Sequence, residues 1–206
     1  MRRIAPISLA ALSLAVGAGA HRLDEYLQAT LIGVTRDGID VEIRLTPGVA
    51  MLPAWMAVID RDSDGEISAQ EERAYAERVA REVELRVDGT ASPLRLMESH
   101  FPALAAMRDG LGTIEIKLHA ARGGHELRFE NRHLPQISAY LVNCLSAPGD
   151  GLVVTRQVRD QAQRSIAFDY SFADGAAPLP WISQGRFWVG AAGLLLAVRL
   201  AFYRRG

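Results

Sequence analysis

Apolar and polar residues alternate with a period of two along much of the middle of the chain. Over 38–45, Ile39, Val41, Ile43 and Leu45 fall on one side and Asp40, Glu42 and Arg44 on the other. That is the pattern of a strand with one buried face. Residues 26–36 form a second such segment, and Asp37-Gly38 between the two signals a hairpin. Further strand-like runs cover 83–87, 113–119, 126–130, 139–145, 152–158 and 165–172. Turn-forming stretches such as Arg122-Gly123-Gly124 and Ala147-Pro148-Gly149-Asp150-Gly151 separate several of them. Seven or eight short strands at this spacing predict a mainly β fold, an antiparallel β-sandwich. Residues 101–109 fit either a short helix or a loop.

The alternation breaks over 53–83, where a helix-loop-helix insert is expected. Pro53 suits a helix's first turn, and Trp55, Met56, Val58 and Ile59 make a short apolar incoming helix. Residues 72–83 are rich in helix formers, with Ala74, Tyr75 and Val79 placed to face inward. Between them, residues 60–71 match the twelve-residue EF-hand calcium loop. Calcium is a hard cation that takes six to eight oxygens. Asp60, Asp62 and Asp64 offer carboxylates at loop positions 1, 3 and 5. Gly65 at position 6 permits the sharp turn around the ion. Glu66 at position 7 would give its main-chain carbonyl, and Ser68 at position 9 would act directly or through water. Glu71 at position 12 closes the cage with both oxygens, and Ile67 anchors the loop to apolar surroundings. No second loop is present: Asp37-Gly38, Asp109-Gly110 and Asp150-Gly151 lack carboxylates at the required spacing. A lone hand outside the cell, where affinities of about 10⁻⁴ to 10⁻³ M are common, favours a structural ion over a signalling switch.

Apolar runs mark both ends. Met1-Arg2-Arg3, an apolar stretch over 4–16 and small residues at Ala18 and Ala20 read as a secretory signal covering 1–20. Cleavage after Ala20 would leave His21 as the first residue. Residues 187–203 match a short transmembrane helix, at about the lower limit of 17 residues. Trp181 and Trp188 sit where an outer aromatic belt belongs and Tyr203 at an inner one. Arg199 is near enough to the end to reach the headgroups. Arg204 and Arg205 place the 204–206 tail in the cytoplasm by the positive-inside rule. The body, residues 21–182, is then expected on the outer side of a bacterial inner membrane, in the periplasm, held by one span. Gly193, Ala197 and Ala201 share a face of that helix and suit close packing against a membrane-protein partner or a second copy.

Charge supports this arrangement. The chain of 206 residues is 49% hydrophobic with a formal net charge of −1, but the balance is uneven. All 24 acids lie within 21–182, against 17 bases, so the body carries −7. An acidic body with basic ends excludes nucleic acid as a partner and points to cations and a membrane. The single Cys144 makes no intrachain bridge and sits in an apolar strand. His21, His100, His119, His125 and His133 leave open a second metal reading, in which an amino-terminal His21 or a convergence of His119, His125 and His133 holds nickel, cobalt or copper. No spacing diagnostic of zinc and no G-x-S-x-G, H-E-x-x-H or phosphate-binding glycine loop is present. An enzyme of unknown type is the remaining alternative.

Several stretches carry a resemblance. They are His21-Arg22-Leu23-Asp24-Glu25-Tyr26-Leu27-Gln28-Ala29-Thr30, Glu42-Ile43-Arg44-Leu45-Thr46-Pro47-Gly48-Val49, the 60–71 loop, and Tyr140-Leu141-Val142-Asn143-Cys144-Leu145. Together they resemble uncharacterised bacterial exported proteins with one EF-hand. Those are distantly similar to the periplasmic N-terminal portion of HupE/UreJ-type and nickel/cobalt permease-type membrane proteins. The resemblance spans most of 21–172, and the calcium loop is its one specific motif. It implies an accessory role near nickel or cobalt handling, while a single anchor excludes transport by this chain alone.

Overall fold

The computed structural model describes residues 25–121, 123–145 and 151–173. The expected signal (1–20), His21, the apolar run 187–203 with its small-residue face, and the 204–206 tail lie outside the described residues. Among the described residues no helix is long and apolar enough to cross a membrane.

Ten strands form two five-stranded sheets that enclose one core. The first sheet runs β5(Arg95–His100)–β6(Ile114–Ala121)–β2(Gly38–Pro47)–β1(Tyr26–Val34)–β8(Ser138–Leu145). The second runs β4(Thr90–Ala91)–β3(Val83–Val87)–β7(Glu126–Asn131)–β10(Ser165–Phe172)–β9(Leu152–Arg159). Alternation assigns the inward face: Ile39, Val41, Ile43 and Leu45 of β2 and Ile114, Ile116 and Leu118 of β6 are buried from one side. Leu127 and Phe129 of β7 and Ile166, Phe168 and Tyr170 of β10 meet them from the other.

The hairpin at 35–38 forms as its sequence implies, with Val34 opposite Ile39 and Tyr26 opposite Pro47. Gly38 is required there because a Cβ would stand 2.2 Å from the His119 ring. Two expectations change. The sandwich is not wholly antiparallel, since β1 and β8 pair in parallel, Tyr26 beside Ser138. The cause is the chain's path: β7 descends in the second sheet, crosses at 132–137, and must climb back in the first sheet beside β1, which climbs too. The short strands β4 and β5 also join the sheet edges. Their residues are mostly exposed, so no apolar alternation announces them. Within 101–109, Leu104–Arg108 is a short helix, α3, with Met107 buried.

The insert leaves β2 through one 3-10 turn, Val49–Met51, and consists of α1(Leu52–Ile59) and α2(Ala69–Glu82). Its uncharged helix α1 buries Leu52, Trp55 and Ile59. On α2, Glu71, Tyr75, Ala76 and Val79 are buried, while Ala74 is only half-buried. The insert therefore packs on the core at the end where β1 begins and β2 finishes. The described chain ends at the other end, where Arg36 Nη2 donates to the Ala173 carbonyl at 2.9 Å.

Candidate functional site

The acidic loop is built locally. α1 stops at Asp60, whose amide still donates to the Met56 carbonyl at 2.9 Å while its own backbone turns extended. The chain then curls around its carboxylates. Gly65 N donates to Asp60 Oδ2 at 3.0 Å, Asp64 N to Asp62 Oδ1 at 3.4 Å and Glu66 N to Asp64 Oδ1 at 2.8 Å. Gly65 makes the curl possible with φ +84°, a left-handed conformation that costs other residues about 1 kcal/mol or more. Helix α2 begins with a reciprocal cap. Ser68 Oγ accepts from the Glu71 amide at 3.3 Å, and Glu71 Oε2 accepts from the Ser68 amide at 2.9 Å. Glu71 Oε1 also accepts from Arg61 N at 2.6 Å, so the last loop acid is tied back to the loop's second residue.

This folding brings Asp60, Asp62 and Glu71 together, with one carboxylate oxygen from each lying within 4.8 Å of the others. Among the described residues no other set of three His, Cys, Asp or Glu side chains converges in this way. Asp64 is not in that set, and Ser68 lies beside the set at the helix start. Asp64 is exposed and holds the Glu66 amide, and Ser68 is occupied by the cap. Glu66 is exposed, and Ile67 packs against the core as expected.

The electrostatics suit a cation. The Ser68 and Arg61 amides hold the Glu71 carboxyl below the ordinary glutamate range, against some desolvation. The Asp64 amide pulls Asp62 down, but desolvation and the charges of Asp64 and Glu71 outweigh it, and Asp62 ends raised. A like charge close by disfavours the ionised carboxylate, and a cation among the three would favour it. Asp60 Oδ1 is buried and accepts no hydrogen bond. A buried carboxylate oxygen with no donor carries a desolvation cost that a bound cation would remove.

Among the described residues, His119, His125 and His133 do not converge. His119 Nδ1 lies 2.8 Å from Asp40 Oδ1 on the first sheet, and the His125 amide donates to Asp88 Oδ1 at the far end of the second. His133 is fully buried beside the insert.

His133 belongs to a polar cluster that no spacing in the chain announces. Its Nε2 lies 2.7 Å from Tyr75 Oη, which lies 2.6 Å from Tyr26 Oη, and its Nδ1 lies 2.5 Å from Glu82 Oε2. Glu82 is held in turn by Arg78 at 2.8 Å. The main chain of His133 is fixed as well: its amide donates to Asn131 Oδ1, and its carbonyl accepts from Gln28 Nε2 and Tyr140 Oη. The one sequence signal is Gln28, a polar residue at an inward position of β1 between Tyr26 and Thr30.

No protein-family model matches the chain, and no curated protein matches it.

Proposed function

We propose that this protein is a calcium-binding, membrane-anchored extracytoplasmic β-domain that acts as a binding or scaffolding module, with the ion structural. The observation that carries the reading is the buried, donor-free Asp60 Oδ1 within a curl that also gathers Asp62 and Glu71. All three fall at EF-hand ligand positions, with Gly65 at the required turn. A cation there would bridge α1 to α2 and so hold the insert on the sandwich. Membrane attachment is supported by the apolar run 187–203 and by Arg204 and Arg205 after it. The small residues of that run would serve a membrane-protein partner or a second copy.

Calorimetric titration of calcium into the full chain in detergent micelles tests the reading, with a melting curve at each step. One ion bound at about 10⁻⁴ to 10⁻³ M, with a rise in melting temperature, is the expected result. No heat and no rise at several millimolar calcium would overturn it.

A further inference from the structure

We infer that the buried chain Tyr26–Tyr75–His133–Glu82 links occupation of the acidic loop to the order of the crossover 132–137, so that the ion regulates the end of the sandwich and not the insert alone. The inference rests on the calcium reading and adds a regulated surface to it.

The geometry of α2 carries the argument. Glu71, Tyr75 and Glu82 are separated by four and seven residues and therefore lie on one stripe of the helix. The stripe begins at a proposed ion ligand and ends, about 16 Å further along, at the partner of His133. A helix of 14 residues, capped at its start and packed along this stripe, moves as one piece. Drawing Glu71 toward a cation therefore sets the position of Tyr75 and Glu82.

What those two residues hold is the crossover. Residues 132–137 lie between the two sheets, held at their ends by backbone and between them by side chains. Arg132 N donates to the Glu82 carbonyl at 2.9 Å and Tyr26 N to the Ile137 carbonyl at 3.0 Å. Asn131 and Gln28 flank His133, Tyr140 donates to its carbonyl, and Ser138 donates to the Leu134 carbonyl at 2.7 Å. Leu134 sits in left-handed backbone, φ +47°, a conformation that survives only where its surroundings over-determine it. His133 is the residue that both α2 and β1 grip. Its ring also stands edge-on to Tyr75, 5.3 Å between centroids, and to Tyr26, 6.0 Å.

The hydrogen-bond accounting fixes the state of the link. With a neutral ring, Tyr26 donates to Tyr75, Tyr75 to His133 Nε2, and His133 Nδ1 to Glu82. Every donor has an acceptor. Protonation of the ring makes Nε2 a donor, reverses both tyrosines, and leaves the Tyr26 hydroxyl with no acceptor that it bonds among the described residues. The charged and titratable groups around the ring are Tyr75, Arg78 and Glu82 of α2, Tyr26 of β1 and Tyr140 of β8. Glu82 favours the extra proton, and Arg78 and burial oppose it. The link therefore works with His133 neutral and fails in acid.

Hydrogen exchange on the full chain in detergent micelles, with and without millimolar calcium, tests this beside calorimetry. In the wild type, calcium should slow exchange over 60–82 and over 131–138. Tyr75→Phe keeps the ring and removes the hydroxyl. It should still bind one calcium, at least about 5-fold more weakly, the lower end of typical coupling, with protection confined to 60–82. His133→Gln serves as the second variant should Tyr75→Phe fail to fold. It should also abolish the weakening of calcium binding expected in the wild type as pH falls from 7.5 to 5.5, which loss of packing alone would not do. Calcium uptake by the wild type without protection of 131–138 overturns this inference alone, as does unchanged spread of protection in both variants. No calcium uptake at all overturns the calcium reading and this inference with it.

Discussion

The two ends of α2 both rest on acids and their partners, yet they are built by opposite rules. At the start of the helix, Asp60, Asp62 and Glu71 converge within twelve consecutive residues, one half-buried, one exposed and one buried, with backbone amides orienting them. Further along, Tyr75 and Glu82 meet residues 49 to 58 positions away, Tyr75 in the interior and Glu82 at its half-buried edge. The loop acids leave negative charge unneutralised, and Asp60 Oδ1 is left buried without a donor. The buried cluster satisfies its donors and acceptors from within, because an unmet polar group there costs about 1–3 kcal/mol. One end is open to a ligand, and the other is closed on itself.

The harshest way to break this contrast is to remove the residue both ends lean on. Trp55 is fully buried on α1, and its ring meets Tyr75 edge-on at 5.7 Å. Trp55→Ala should cost about 3–5 kcal/mol of stability in urea unfolding, through the lost contacts and the cavity left behind. A loss under about 1 kcal/mol would mean that the insert does not share the sandwich's core.

Removing the ligands at the open end acts next. Asp60→Ala with Glu71→Ala should abolish the calcium-dependent rise in melting temperature. Calcium at 100 times its dissociation constant contributes about 2.7 kcal/mol to the wild type. Under EDTA the same double variant should lose only the hydrogen bonds that these two acids accept, from Gly65 by Asp60 and from Arg61 and Ser68 by Glu71. An equal loss with and without calcium would show that these acids serve the fold and not an ion.

Acid probes the closed end. Burial pushes the His133 ring below the ordinary histidine value; Glu82 pulls it back up, and Arg78 adds to the lowering. The unfolded chain therefore takes up a proton near pH 6.5 that the folded chain refuses. The stability from a neutral His133 is complete above that pH and falls as pH drops, by at most about 1.4 kcal/mol per pH unit. Glu82 is pushed up by burial, but Arg78 and His133 outweigh this and leave it low, so its own loss begins only as pH falls into the ordinary glutamate range and is complete below its lowered value. Urea midpoints from pH 7.5 to 5 under EDTA should show the slope, and His133→Gln should flatten it.

The same contrast decides what was legible in the chain. The loop could be read because its chemistry has a fixed local spacing, and strands such as β2, β6, β7 and β10 because a buried face imposes a period of two. The strands β4 and β5 are mostly exposed and carry no such period. The parallel pairing of β1 with β8 depends on where 132–137 crosses between sheets, which no local pattern encodes. Tyr26, Tyr75 and His133 read singly as core aromatics and a packed histidine. What joins them is the fold, since each contact spans dozens of residues. Ser68 carries two signals at once: its position suits a calcium ligand, and its hydroxyl is engaged at the helix start.

That last point gives the smallest and sharpest test. Ser68 caps α2 by accepting from the Glu71 amide and donating to its carboxylate at 2.8 Å. Ser68→Ala should cost about 1 kcal/mol through the lost cap. A residue that only caps the helix lowers stability by the same amount with and without calcium, and leaves the dissociation constant nearly unchanged. A residue that also reaches the ion through its hydroxyl loses more in calcium than in EDTA, and the two melting curves separate. Calorimetry on the variant then sorts Ser68 between the two ends of the comparison. Unchanged affinity assigns it to the helix, and a tenfold weakening assigns it to the loop.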